Sequence, residues 1–460
     1  MQDFHVFHSA IDSKEGTLDL NTSKEDLNKV FVRLRIQLST ERTLSEQFKY
    51  FSEAISDIGC GHTQIHPNKE TLRDWLSERN SLPIDYFLYG KKLIVNRTDP
   101  ADHPMIYEGK SIHERKKRLS EGTEIIRING KSVEEMMEGI GQLLSSDEDD
   151  MSFKYFQAAH LFEFYRHLSD PFNQDSIRVD YLRSNDTLSI YFQTGTAPVN
   201  TMNKRLLDYA DEVDQEEYNI GEFKVIKSKY GYFRFTSFTA CYGKEYNDFL
   251  EDAFKQIRNR KIKKLVVDLR GNTGGVMQYE LMRYFVGGDQ YLGRYIVAKP
   301  HHLGDSKYVK KLNGDYLKHF FLSQKQKRLQ RNGKFDDGRI LSDPIDEEKV
   351  FKGDVIVITD EGTFSSAAIL ASHLKTLCNA KIAGQSAGGS FYSGNSGTLQ
   401  VRLPQSGLKL LVNPNTFYSH LEKPSDPISI KQPDLIVQPP YLKGYKLDAY
   451  YFKQAVSLFD

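Results

Sequence analysis

Apolar residues in the first sixty positions recur at spacings of three and four. Leu44, Phe48, Phe51, Ile55 and Ile58 fall on one face of a helix that Thr43-Leu-Ser-Glu46 opens as a capping box. Residues 23–38, with Leu27, Val30, Phe31 and Leu34, supply an amphipathic helix to pair with it. Asn68 stands where it would cap a third helix carrying Leu72, Trp75 and Leu76. Over 82–98 the pattern changes to strand composition, with the turn at Gly90. The stretch Gly122–Gly130 is a turn glycine and a short β-branched strand ending in an Asn-Gly hairpin turn, and a helix begins at Val133. A long aromatic helix over Phe153–Leu168 and two strands around Arg183-Ser-Asn-Asp186 complete this second unit.

From about residue 221 strands and helices alternate. The segments 229–238, KKLVVDL (263–269), VIVIT (355–359) and KIAG (381–384) read as strands. Helices are expected near 244–259, over the alanine-rich stretch 365–378 and over 446–459. Short apolar strands between helices predict a mainly parallel or mixed sheet, and hence an α/β fold. Residues 305–340, rich in Lys, Arg and Gln, read as a helical insertion whose charges form a solvated face.

Composition narrows the function classes. The chain has 460 residues, and its 62 basic side chains equal its 62 acidic ones. Nucleic-acid binders carry a basic excess to neutralise phosphate, and this chain has none overall. No apolar run approaches the roughly 18 residues of a membrane span. The three cysteines (Cys60, Cys241, Cys378) show no metal-ligand spacing, so neither a disulfide framework nor a structural zinc site is expected. The opening MQDFHVFHSAIDS lacks the basic start and apolar stretch of a signal peptide. It suits a cytoplasmic protein, or an exported one whose signal has been removed.

Three segments are candidates for chemistry. Asp268-Leu-Arg-Gly-Asn-Thr-Gly-Gly275 follows a buried strand with a loop of three glycines, which can turn backbone N–H groups toward an oxyanion. The plain alternative is a strand-to-helix turn that needs glycine. Thr359-Asp-Glu-Gly-Thr-Phe-Ser365-Ser366-Ala-Ala-Ile-Leu370 sets a serine at the start of a helix, where developing negative charge is favoured. Taken alone, Ser365 or Thr363 reads more simply as an N-cap. Ile58-Gly-Cys-Gly-His62-Thr63 holds a histidine among glycines at a helix end, free to face a cleft as a general base. His66 competes for that role.

Together, and in their order along the chain, the three segments resemble the tail-specific or C-terminal-processing serine peptidases of family S41. The closer branch is the tricorn-core and chlamydial protease-like group that uses Ser, His and Glu. A His-Thr motif after a helical pair, a D-x-R-x-N-x-G-G loop and a T-F-S-x-A helix carry the likeness. The resemblance implies an α/β multidomain chain with a crotonase/ClpP-like catalytic core. It divides the chain into an N-terminal helical domain (1–100), a PDZ-like domain (101–205) and the peptidase core (206–460).

The resemblance also implies roles. Ser365 is the expected nucleophile, with Ser366 as rival, and His62 its base. The N–H groups of Gly275 and Ser366 are the expected oxyanion donors. Relatives with a Ser-Lys dyad carry their lysine in the glycine-rich loop after the next strand. Here Gly384-Gln-Ser-Ala-Gly-Gly-Ser390 has none, which points back to His62. Cys60 stands where the family more often has Asp. In the Ser-His-Glu branch a glutamate follows the nucleophile by nearly sixty residues; Glu422 fits, with Asp426 as competitor and His420 as a neighbour. The implied activity is a serine endopeptidase acting through an acyl-enzyme on peptides or unfolded protein, with no metal or organic cofactor. The implied setting is bacterial, periplasmic or extracellular. The alternative is a peptide- or lipophile-binding protein on the same fold without catalysis.

Overall fold

The computed structural model describes residues 1–14, 22–68, 70–72, 75, 82, 84–97, 105–106, 119–169, 176–184, 186–193, 221–238, 244–275, 278–296, 308–312, 338–396, 398–422, 425–438 and 445–459. Among the described residues, the chain opens with three helices, α1 (Gln2–Lys14), α2 (Lys24–Gln37) and α3 (Leu44–Ile58), and the short strand β1 (Gln64–His66). The Thr43–Glu46 capping box forms in both directions at the start of α3. Gly59, at φ 70°, ends α3 in the left-handed conformation that glycine adopts without a Cβ clash, and so turns the chain toward His62. Asn68 accepts from the Thr71 amide as a cap, but most of the third expected helix lies outside the described residues.

The second unit runs β2 (Asp85–Tyr89), β3 (Lys92–Arg97), β4 (Met105–Ile106), β5 (Glu124–Ile128), β6 (Lys131–Ser132), α4 (Val133–Gly141), α5 (Met151–Ser169), β7 (Ser176–Arg183) and β8 (Asp186–Gln193). Asn129 and Gly130 both take positive φ, as the predicted tight hairpin requires. The strands pair antiparallel in the order β2-β3-β5-β7-β8-β4.

The third unit begins with β9 (Glu222–Ile226), β10 (Tyr230–Arg234), α6 (Lys244–Asn259), β11 (Lys264–Asp268), α7 (Gln278–Val286), β12 (Tyr291–Ile296), β13 (Val309–Leu312) and β14 (Arg339–Leu341). It continues with β15 (Asp354–Thr359), α8 (Ser366–Leu377), β16 (Lys381–Gly384), β17 (Ser393–Ser396), β18 (Leu399–Arg402), β19 (Lys409–Val412), β20 (Asn415–Ser419), β21 (Leu435–Ile436) and α9 (Tyr445–Ala455). A six-stranded sheet of order β21-β16-β15-β11-β10-β9 is parallel except at β9. Its strands are buried on both faces. Leu265 and Val267 enter one apolar core while Val266 enters the other, and Val355 and Val357 alternate with Ile356 and Ile358 in the same way. That is why these segments read as unbroken apolar runs. The strands β11 and β15 are parallel neighbours, so the loops after Asp268 and Thr359 leave the sheet side by side. Crevices at such carboxyl ends are the usual ligand sites of open α/β sheets.

The apolar cores cross the boundaries drawn from the sequence. One core joins α1–α3, the second unit's sheet and the distant residues Leu399–Val412. The joint is a small sheet, β1-β19-β18-β13, in which β1 pairs antiparallel with β19. Asp3 reinforces it by accepting the amides of Gln405 and Ser406. The proposed helical insertion lies mostly at 313–337, outside the described residues; its two described flanks are the strands β13 and β14.

Candidate active site

Ser365 sits on a tight turn that two side chains and one backbone bond build. Asp360 accepts the amides of Gly271 and Gly362, binding the turn to the glycine loop. The Thr363 hydroxyl donates to the Leu269 carbonyl, and the Phe364 amide donates to the Asn272 carbonyl. The result is a serine at φ 53° and ψ −125°, a backbone conformation that L residues rarely adopt. Such a strained strand-to-helix turn lifts a serine hydroxyl out of the sheet.

That conformation separates the two readings of Ser365. As an N-cap it would accept an amide of α8, and its side chain makes no such bond. Its Oγ lies instead 2.9 Å from Nε2 of His62. Ser366, the rival, is buried on the first turn of α8, and its hydroxyl has no partner.

The glycine loop closes on this serine. A Cβ on Gly274 would stand 2.6 Å from Ser365 Cβ and 3.0 Å from the Ser366 amide nitrogen. On the other side, a Cβ on Gly389 would lie 2.7 Å from the Ser365 nitrogen. Only hydrogen at these positions allows the approach. Neither the Gly275 nor the Ser366 amide donates a hydrogen bond among the described residues. The Asp and Arg of the loop motif have a different task. Arg270 binds Asp268 and Asp448, and the Tyr232 hydroxyl donates to Asp268, a buried network beneath the loop.

His62 arrives from the turn after α3. Asn413 donates to its carbonyl, and the Phe364 ring lies against its imidazole at 4.7 Å between centroids. Phe364 stacks in turn on Phe153 at 4.1 Å. The imidazole keeps part of its surface open to the cleft. Protein still surrounds it closely enough that burial lowers its pKa from 6.5 to about 4. The imidazole is therefore neutral at neutral pH. His66 bonds Gln64, and His420 bonds Thr376 beside the buried His373. No bond joins either of them to Ser365.

The two expected carboxylates lie elsewhere. Glu422 is exposed and makes no hydrogen bond or ion pair to His62. Asp426 is also exposed, and its carboxylate accepts the amides of Ile428 and Ser429.

A model of peptidase family S41 matches residues 229–420, the stretch that carries the glycine loop and the serine turn. Residues 229–420 are thus similar to peptidase family S41, a family of serine-type peptidases. The chain is 26% identical over 232 residues to the carboxy-terminal processing protease CtpB of Bacillus subtilis. The matched stretch is 48% of this chain and spans only 38% of that relative's length. Among solved structures, mature CPAF in complex with lactacystin superimposes with a TM-score of 0.61 at 11% identity, covering 100% of this chain and 96% of that one. A second structure of mature CPAF gives a TM-score of 0.59 at 13% identity, covering 100% and 94%. These structures share the fold of this chain.

One residue of this site escaped the sequence reading. Asp147, 6% exposed, accepts the Gly61 amide at 2.9 Å through Oδ1, next to His62 in the chain. Cys60, His62 and Asp147 each offer one donor atom within 4.8 Å of the other two. In the sequence, Asp147 registered only as part of the acidic run 146–150. Nothing in that run shows which of its four carboxylates turns inward.

Proposed function

We propose that the chain hydrolyses peptide bonds by acyl transfer, with Ser365 as nucleophile and His62 as general base. The observation that carries this reading is the 2.9 Å contact between Ser365 Oγ and His62 Nε2. As Oγ attacks the peptide carbonyl, Nε2 takes its proton and the carbonyl oxygen becomes an oxyanion. The Gly275 and Ser366 N–H groups are the donors for it, since one loop and one helix end present them on either side of Ser365. Nε2 then returns the proton to the leaving amine, and water hydrolyses the acyl-enzyme by the reverse sequence.

The six-stranded sheet and its helices are the crotonase/ClpP-like core in this reading, and the unit around β5, α4 and β7 is the PDZ-like module. A sheet edge beside a helix takes up an extended peptide as an added strand, which suits a peptide or unfolded-protein substrate. Export to a periplasmic or extracellular space is the setting that goes with it. Glu422, expected from the family's order, is exposed and bonds no part of the site among the described residues, so this reading leaves the third position to another group.

A fluorophosphonate probe tests the reading. Wild type is labelled and Ser365→Ala is not, and His62→Ala slows labelling by at least about a hundredfold. Folded wild-type protein that takes no label would favour a non-catalytic peptide- or lipophile-binding role on the same fold.

A further inference from the structure

His62 uses one ring nitrogen on Ser365. Its other nitrogen, Nδ1, is buried and has no hydrogen-bond partner among the described residues. A buried N–H of this kind leaves a desolvation cost of about 1–3 kcal/mol unmet. Such an orphan in a native structure calls for a function or a missing partner. Asp147 carries the complementary vacancy. Its Oδ1 accepts the Gly61 amide while its Oδ2, equally buried, has no hydrogen-bond partner among the described residues, although the Ser390 amide is close enough to favour the anion. A carboxylate oxygen of Asp147 lies within 4.8 Å of an imidazole nitrogen of His62.

We propose that Asp147 is the positioning carboxylate behind His62, its Oδ2 accepting the Nδ1 proton of the imidazole during catalysis. This rests on the reading of His62 as the base. It replaces Glu422 with a residue from the other side of the chain.

The surroundings of Asp147 suit that task. The Gly61 amide fixes the carboxylate relative to the residue that precedes the base. Steric fit makes the approach close, since a Cβ on Gly61 would lie 3.2 Å from the Asp147 nitrogen. The segment that follows is anchored in three places. The Ser390 hydroxyl donates to Glu148, the fully buried Lys431 ammonium meets Asp150 at 2.6 Å and Glu148 at 3.4 Å, and Lys154 donates to Asp149. Glu148 and Asp149 both hold positive φ, so these bonds outweigh a local backbone preference. Besides His62, the titratable groups around Asp147 are the Cys60 thiol, Glu148, Asp150 and Lys431. Burial raises Asp147 to about 6, which leaves it mostly ionised at neutral pH. A buried anion there fixes the tautomer that carries hydrogen on Nδ1, leaving Nε2 bare to take the serine proton. It also stabilises the imidazolium that results.

The test compares Asp147→Asn, Asp147→Glu and Glu422→Gln in the full chain, by steady-state hydrolysis of a peptide substrate and by the rate of fluorophosphonate labelling. Asp147→Asn keeps an acceptor for the Gly61 amide and removes only the charge. We expect kcat/KM to fall by about a hundredfold to ten-thousandfold, with kcat carrying the loss and KM little changed. The acid limb of the pH profile should move to lower pH, because the imidazolium loses its neighbouring anion. Asp147→Glu, which restores charge at a shifted position, should regain part of the rate, and Glu422→Gln should stay within about twofold of wild type. Wild-type kinetics in Asp147→Asn, or a large loss in Glu422→Gln instead, would overturn the proposal. So would equal impairment of the two Asp147 variants alongside an equal drop in melting temperature, which would confine Asp147 to the fold. If His62→Ala hydrolyses and labels like wild type, the failure belongs to the base assignment and not to Asp147 alone.

Discussion

A serine at φ 53° is costly, and the residues around it show how the cost is met. Gly274 is the tightest of them, itself at φ 105°. Gly274→Ala should strain the loop and push against Ser365 Cβ at once, costing about 1–3 kcal/mol. The check is a urea melt alongside labelling of Ser365, and both should suffer. An unchanged labelling rate would mean that the loop can retreat without disturbing the serine. Charge works in the opposite sense at Asp147. Its folded-state pKa of about 6 lies above the ordinary 3.8. Native protein therefore holds that proton more tightly than unfolded chain does. The stability it contributes is fully present below about pH 4 and is lost as pH rises through 6. At pH 8 the ionised group costs stability, so Asp147→Asn should raise the melting temperature at pH 8 relative to wild type and lose that advantage near pH 4. Thermal melts at the two pH values decide it. Sequence could single out Ser365 and His62 as candidates because each lies in a short motif whose glycines are legible. It could not single out Asp147, because its segment is held by partners far off in sequence, the Gly61 amide on Asp147 and Lys431 on Asp150.

At the scale of elements, local signals were read well. The capping box of α3 and the Asn129-Gly130 hairpin depend on neighbours within four residues, and both stand where the pattern placed them. The alternation of apolar residues on β11 and β15 was legible for the same reason. By contrast β17 and β20, which pair antiparallel, are rich in Asn and Ser, and β18 and β19, which also pair antiparallel, are only four residues each. Their partners, β12 and β1, lie far away in sequence, so their pairing could not be read locally. The turn over Ser429–Lys431 shows what such distant contacts contribute. It delivers an ammonium with 0% exposure to two carboxylates of the Asp147 segment. Lys431→Ala leaves those carboxylates buried without their counter-charge, and such losses cost about 3–5 kcal/mol. Denaturant unfolding should show a drop of that order, with slower labelling of Ser365. A drop below about 1 kcal/mol would mean that water replaces the ammonium.

For the whole molecule, the sequence-derived division into three successive parts describes the chain order better than the packing. The core of the first two parts includes Leu399, Val401, Leu403, Leu408, Leu410 and Val412. These residues are absent from any fragment that ends near the sequence-derived boundary at 205. A fragment of residues 1–205 should therefore fail to show a cooperative melt. Supplying residues 395–415 as a tethered hairpin should restore one, by circular dichroism and amide exchange. Independent cooperative folding of the untethered fragment would show that the distant hairpin is dispensable.

The strand pairing of β1 with β19 has a consequence in time. The ribosome releases His62 early, with Ser365 303 residues behind it and the hairpin that seats the base later still. Contacts of such long sequence separation close last in folding. A nascent chain thus carries His62 and Ser365 apart until the β18–β19 hairpin has been made. In the proposed mechanism hydrolysis waits on that hairpin, and the growing chain is spared its own chemistry until then.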